Sequence, residues 1–279
     1  MKYEINDKYA KVSEVQSFVK HLPTTFEAEG EQLFANGRNV LRVFAVKEGH
    51  PILSKVVVKR FRARNLFQTL AYSTFFSSKA KRAFRNGMTL TQHGFDTPEP
   101  IAYAEERHHG LLRYCYYLTA FTDAPSVRTE LDVNFNRPMA KCFAHFIAHL
   151  HQQGFVHHDL NFDNVLYREV SQNHYEISVI DINRLTIGTP SQLTLKDCKD
   201  DFVRWTDRKD LLTYVTEEYA KERGLDIAET LNEVLHLKAI HDRNWHRRKN
   251  FTLFRATDNR QRTTVNLKLY KRNSKPHHS

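Results

Sequence analysis

The chain has 279 residues, 41% of them hydrophobic and 12% aromatic, with three cysteines and a formal net charge of +10. That length suffices for one large domain or two lobes with a substantial core, and no apolar run reaches the roughly 18 residues that suggest a membrane-spanning helix. The opening "MKYEINDKYAKVSEV" has no apolar signal region, and the scattered Cys115, Cys142 and Cys198 form neither a zinc pattern nor a disulfide framework, which fits a reducing cytoplasm.

The elements follow in chain order. "EQLFA" and "NVLRVFAV" flank Asn36-Gly37, a strong hairpin signal, so the first third reads as strands. "ILSKVVVKRF" reads as a further strand with Lys59 near its end. "NLFQTLAYSTFFSSKAKRAFRNGMTLTQHGF" reads as one or two helices ending near Gly94, with Phe75 and Phe76 in the core rather than on a membrane. "TPEPIAYAEE" and "LLRYCYYLTAF" read as two more strands. Beyond "TDAPS" the period changes. Met139, Phe143, Phe146, Ile147 and Leu150 fall on one helical face, and Gly154 closes that helix. "NVLY" and "ISVID" read as short strands around the polar turn "REVSQNHYE". After Leu185 the chain reads as mostly helical, then as a basic irregular tail. This layout predicts an α+β, bilobal protein: a strand-rich N-lobe over residues 1–121 and a mostly helical C-lobe over 122–279.

Charge is unevenly spread. From Arg60 to Phe95 there are seven Lys/Arg and no Asp/Glu, and from His236 to Ser279 twelve against two. Such a surface suits an anionic partner, whether phosphate, anionic lipid or nucleic acid; the plainer reading is a solvated face.

"FVHHDLNFDNVLY", residues 155–167, carries the chemistry. Asp159 and Asn164 fall on a loop before one strand and Asp181 at the end of the next, so all three can converge on one cleft. A carboxylate there can orient and deprotonate a hydroxyl. An amide oxygen and a second carboxylate are hard ligands that suit Mg²⁺ held against nucleotide phosphates. A strand lysine from the other lobe can pair with those phosphates. Phosphoryl transfer needs mostly positioning and charge neutralisation. His145 and His149, at i and i+4, lack the glutamate of a zinc-protease helix and are not expected to bind metal. Asp159 and Asn164 taken alone would equally suit a turn.

"HHDLNFDN" resembles the protein-kinase catalytic loop, with Asp159 and Asn164 in the Asp and Asn places and His158 in the Arg place. "VVVKRF" resembles the strand that bears the nucleotide-binding lysine, and "VIDINRL" stands where the kinase metal-binding Asp-Phe-Gly would be. More closely, "HHDLNFDNVL", "IDINR" and "HGFDTPEPIAY" are similar to the Kdo/WaaP family of lipopolysaccharide kinases, from about Glu31 to Leu185. The resemblance implies a bilobal kinase-like fold and transfer of the ATP γ-phosphate to a sugar hydroxyl of the lipid A core, Kdo or heptose. It places the protein in the cytoplasm, peripheral on the inner membrane. It implies Lys59 on the ATP phosphates, Asp159 as catalytic base, and Asn164 and Asp181 on Mg²⁺.

Two features depart from the kinase pattern. No G-x-G-x-x-G is present, and the backbone around Asn36 and Gly37 is the only candidate phosphate cap. No acidic residue lies between Lys59 and Asp96, so the lysine lacks its usual helix glutamate and would need another partner, Asp181 being the candidate. Where that glutamate is expected stand Arg85 and Asn86. With His158 in the Arg place, no activation-loop switch is expected. The rival readings are a pseudokinase that binds nucleotide without turnover and a kinase of another small hydroxyl acceptor. A nucleic-acid partner is unlikely because no such motif supports it.

Overall fold

The computed structural model describes residues 1–36, 39–62 and 77–249. A six-stranded antiparallel sheet forms the N-terminal half. Its strands are β1 (Lys2–Ile5), β2 (Glu31–Asn36), β3 (Asn39–Phe44), β4 (Val56–Arg62), β5 (Pro100–His108) and β6 (Leu111–Ala120), in the order β1-β5-β6-β4-β3-β2. The expected hairpin is present: Asn36 pairs with Asn39 across the β2–β3 turn. The strand expected over "ILSKVVVKRF" begins later, at Val56, because residues 51–54 form a turn.

Alternation along the strands gives the sheet two different faces. Val56, Val58, Ala102, Ala104, Tyr116 and Leu118 point to one face and pack with helix α1 (Ser13–Ala28). Phe61, Tyr103, Cys115 and Tyr117 point to the other and join the larger core. Helix α1 corrects the expectation of strands alone in the first third. Its Val15, Val19, Leu22 and Phe26 recur at helical spacing and are almost fully buried, and each such burial stabilises by roughly 1.5–3 kcal/mol.

Helix α2 (Lys79–Gln92) lies on the inner face of the sheet. Ser78 caps it by accepting from the Lys81 amide at 3.2 Å, and Ala80, Ala83, Phe84, Gly87 and Leu90 are buried. Phe75 and Phe76 lie outside the described residues.

The second half is mostly helical. A π-helical turn (Thr129–Val133) leads into α3 (Arg137–Gln152), which is capped by the Asn136 side chain. Gly154 follows at φ +86°, where a Cβ would run into the Gly188 carbonyl, so glycine is required there. Strand β7 (Phe155–Val156) comes next, then the hairpin of β8 (Val165–Ser171) and β9 (His174–Val179), then β10 (Thr186–Ile187), which pairs with β7. Most of "REVSQNHYE", expected as turn, is strand: the pairing runs out to Ser171 and His174. Helices α4 (Asp200–Val203), α5 (Lys209–Arg223) and α6 (residues 227–249) complete the described chain. No helix among the described residues is long and apolar enough to cross a membrane. The basic tail from residue 250 lies outside them.

Candidate active site

Lys59 sits on β4 with Leu41 and Tyr117 as its register partners. Its neighbours Val56 and Val58 face α1, so the lysine faces the interior with Val57 and Phe61. A cleft of ≈ 270 Å³ opens there. Leu33, Leu41 and Val57 line it from the sheet, and Leu166, Ile180 and Asp181 from the helical half. It is mainly apolar, with one charged pair.

That pair is Lys59 Nζ and Asp181 Oδ1, 2.8 Å apart. The lysine without a helix glutamate is therefore held by the carboxylate that the sequence offers as its alternative. Asp181 follows β9 and opens the short turn Ile182–Arg184 in the left-handed region, at φ 59°, a conformation that Asp tolerates better than most side chains. The Asn183 side chain donates to Asp181 Oδ1 at 2.6 Å. Burial alone would raise the Asp181 pKa. The Lys59 charge and hydrogen bond, the Asn183 bond and the nearby His157 outweigh it and hold the carboxyl below its usual range.

Helix α2 holds this turn by uncharged acceptors. Asn86 Nδ2 donates to the Ile182 carbonyl at 2.7 Å and to the Leu185 carbonyl at 3.1 Å, and Arg82 Nε donates to the Asn183 carbonyl at 3.1 Å. Arg82 is therefore not a freely solvated charge of the basic segment, as composition had suggested. Within "HGFDTPEP", the Asp96 backbone carbonyl accepts from the Val179 amide at 3.1 Å and the buried Thr97 hydroxyl donates to the Val179 carbonyl at 2.7 Å. This segment thus fixes the end of β9 two residues before Asp181.

The loop bearing Asp159 hangs from a carboxylate that sequence reasoning missed. Asp201, fully buried on α4, accepts the His157 amide on Oδ2 and the His158 amide on Oδ1, each at 2.7 Å. His151 lies 3.3 Å from Oδ2 and meets the Tyr219 hydroxyl with its other nitrogen. Burial opposes ionisation of Asp201, but His151, His157 and the amide bonds outweigh it and lower the pKa. Nothing local marks Asp201 in "KDCKDDFVRW", which also carries Asp197 and Asp200.

His157 joins the two loops. Its Nε2 donates to the Ile180 carbonyl at 3.0 Å, and its Nδ1 accepts the Asp159 amide at 3.3 Å. The Asn164 carbonyl accepts from the Ile180 amide at 2.9 Å. Ile180 immediately precedes Asp181, so three of the expected site residues, Asp159, Asn164 and Asp181, are stitched into one unit. Asp159 also has Arg184 and Arg204 guanidinium nitrogens at 3.7 Å each; Arg204 was a second omission of the sequence reading. His158, in the Arg place, sits at φ +63° with its ring on the Thr186 hydroxyl.

The donor set suits Mg²⁺. Asn164 Nδ2 donates to the Asp159 carbonyl at 2.8 Å, and no described group donates to its side-chain oxygen. Both contacts of Asp181 fall on Oδ1, leaving Oδ2 for a cation. One carboxylate and one amide oxygen completed by phosphates is a usual Mg²⁺ arrangement. No cluster of three His, Cys, Asp or Glu forms a metal cage among the described residues. His145 instead lies near Glu222, and His149 bonds Gln153.

Of the candidate phosphate cap, Asn36 ends β2 and Gly37 lies outside the described residues. From α2 the cleft is lined by Ala83, which offers Lys59 no carboxylate, and the Tyr117 hydroxyl lies against Gly87. The buried Tyr117 hydroxyl has no hydrogen-bond partner among the described residues.

The model of the lipopolysaccharide kinase (Kdo/WaaP) family matches residues 28–204. Among solved structures, WaaP in complex with acyl carrier protein is similar at 14% identity and a TM-score of 0.55, covering 88% of this chain and 99% of that one. A Rio2 kinase complex with ADP/Mg²⁺ and phosphoaspartate from Chaetomium thermophilum is similar at 17% identity and a TM-score of 0.43, covering 82% and 77%. No curated protein matches the sequence. The likeness to WaaP agrees with the architecture above: a bilobal, protein-kinase-like fold.

Proposed function

The chain belongs to the lipopolysaccharide kinase (Kdo/WaaP) family, and from that premise we propose that it transfers the γ-phosphate of ATP to a sugar hydroxyl of the lipopolysaccharide core, Kdo or heptose, at the cytoplasmic face of the inner membrane. The observation that carries this reading is the Lys59–Asp181 pair in an apolar cleft, tied through Ile180 to the loop that bears Asp159. The lobe boundary falls between residues 121 and 122, where the connector after β6 lines that cleft.

The apolar walls from Leu41, Val57 and Leu166 take the adenine, and Lys59 meets the phosphates. Asp181 and Asn164 would hold Mg²⁺, which would supply neutralisation of the phosphate charge. Asp159 accepts the proton of the acceptor hydroxyl as its oxygen attacks the γ-phosphorus. The bond to the β–γ bridging oxygen breaks, and ADP leaves with that electron pair. Arg184 and Arg204 hold the Asp159 carboxylate in place before the acceptor arrives. Lys59 has a carboxylate partner despite the absent helix glutamate, which favours turnover over a pseudokinase. Lys79, Lys81 and Arg85 remain as contacts for anionic lipid.

The test is transfer from radiolabelled ATP to lipopolysaccharide core, to free sugars and to a generic protein. Label on the core alone is expected. Label on a small sugar or on protein but not on the core would replace the acceptor class, and nucleotide binding with no transfer would favour the pseudokinase.

A further inference from the structure

A second groove, of ≈ 600 Å³, opens at Asp159. None of the residues lining the nucleotide cleft lines it. One wall is the Asp159 loop with Arg204; the other is α6, through Lys238, His241 and Trp245. It continues into a hollow of ≈ 430 Å³ that shares Arg204, His241 and Trp245 and adds Lys196 and Lys199.

Helix α6 is a fixed wall. Val234 is fully buried, and Leu235 and Leu237 pack on the core. Lys238 is nearly buried and reaches Asp207 at 2.7 Å and Asp242 at 2.8 Å. Against this anchored surface Trp245 is 50% exposed. Its ring lies 4.9 Å from Lys249 Nζ and 5.1 Å from the His246 ring. A half-exposed indole in a groove costs apolar hydration unless something flat covers it. The carbon face of a pyranose is such a cover. Arg204 already meets Asp159 and Asp200, but in the continuing hollow Lys196, Lys199, Arg204 and Arg248 outnumber Asp200, and that excess of cations favours a sugar that carries a negative group. The reactive carboxylate lies at the same groove, where an acceptor hydroxyl has to be.

We propose that the groove between the Asp159 loop and α6 is the acceptor site, with Trp245 as the platform for an anionic sugar and Lys196 and Lys199 facing its charge. This rests on the lipopolysaccharide-kinase reading and adds to it a wall that lies beyond residue 204, where the family match ends.

The probe is deacylated lipopolysaccharide core oligosaccharide. In Trp245→Ala its Michaelis constant is expected to rise about tenfold, the change that about 1.4 kcal/mol of lost contact produces, with nucleotide affinity and melting temperature unaltered. Trp245→Phe should recover most of the loss. A second readout needs no turnover. The chain has two tryptophans, and Trp205 is buried, so the oligosaccharide should change wild-type tryptophan emission and leave that of Trp245→Phe unchanged. Transfer by wild type with the same Michaelis constant in Trp245→Ala would overturn the groove assignment alone. No transfer by wild type to any core oligosaccharide would overturn the lipopolysaccharide reading, and this proposal with it.

Discussion

Lys59 and Asp181 form a 2.8 Å ion pair between the sheet and the turn after β9, and it stands where a strand lysine and a helix glutamate are paired in the kinase pattern. The same carboxylate is the one suited to carry Mg²⁺. On the proposed reading, nucleotide binding would be an exchange, in which phosphate takes the ammonium and the cation takes the carboxylate. Lys59→Ala should weaken ATP binding by tenfold or more, as expected for losing a charged hydrogen bond of about 1.5–3 kcal/mol. Asp181→Ala should abolish turnover and remove the Mg²⁺ dependence of nucleotide binding. Calorimetry with and without Mg²⁺ measures both, and an Asp181→Ala protein that still binds nucleotide in a Mg²⁺-dependent way would be incompatible with this assignment.

Asp159 is not among the residues that line the cleft at Lys59 and lines the second groove instead. Asp159→Ala should therefore leave ATP affinity nearly intact and lower turnover by roughly 10² to 10⁴, the range for loss of a general base. Wild-type activity in this variant would end the kinase reading of the loop.

Asp201 predicts a pH signature. Its folded pKa lies below the ordinary carboxylate value, so its contribution is present above about pH 4 and is lost as pH falls through the folded pKa. Asp201→Asn puts an amide against the His157 and His158 donors and removes a buried charge from His151. The cost should be on the order of 3 kcal/mol near neutral pH. It should shrink as pH falls below about 4, because the unfolded wild-type chain then binds the proton that the folded carboxylate still resists. Urea denaturation of both proteins from pH 3 to 7 checks this; a gap of constant size across that range would contradict it.

Gly87 predicts a packing effect. A Cβ there would lie 2.7 Å from Pro100 Cγ, 2.9 Å from Tyr117 Oη and 3.3 Å from Ile182 Cδ1. Helix propensity favours alanine by about 1 kcal/mol, but overpacking costs typically 1–3 kcal/mol, so Gly87→Ala should lower the melting temperature. Tyr117→Phe should partly restore it, since it removes one of the close atoms together with a buried hydroxyl that has no partner in the described chain. Equal losses in the single and double variants would show that Pro100 alone sets the clash.

The parts of this architecture legible in the sequence are those fixed by local pattern. The Asn36-Gly37 hairpin, the apolar face of α3 and its stop at Gly154 depend on neighbours a few residues apart. The convergence of Asp159, Asn164 and Asp181 was legible because the three sit close along the chain. Asp201 was not, since it meets His157 from 44 residues away and is one of several similar aspartates in its segment. Helix α1 carried its signal in Val15, Val19, Leu22 and Phe26, which the strand signals after Gly30 overshadowed. The groove at Trp245 depends on where α6 docks, and no periodicity encodes that.

The bonds from Arg82 and Asn86 end on backbone carbonyls, and a carbonyl neither titrates nor exchanges its charge with solvent. A helix fastened by a glutamate can be released by protonation or by a competing cation. Among the described residues, these three bonds involve no carboxylate. Through the range in which carboxylates gain and lose protons they keep their partners, so the position of the turn that bears Asp181 is set when the chain folds rather than when a signal arrives.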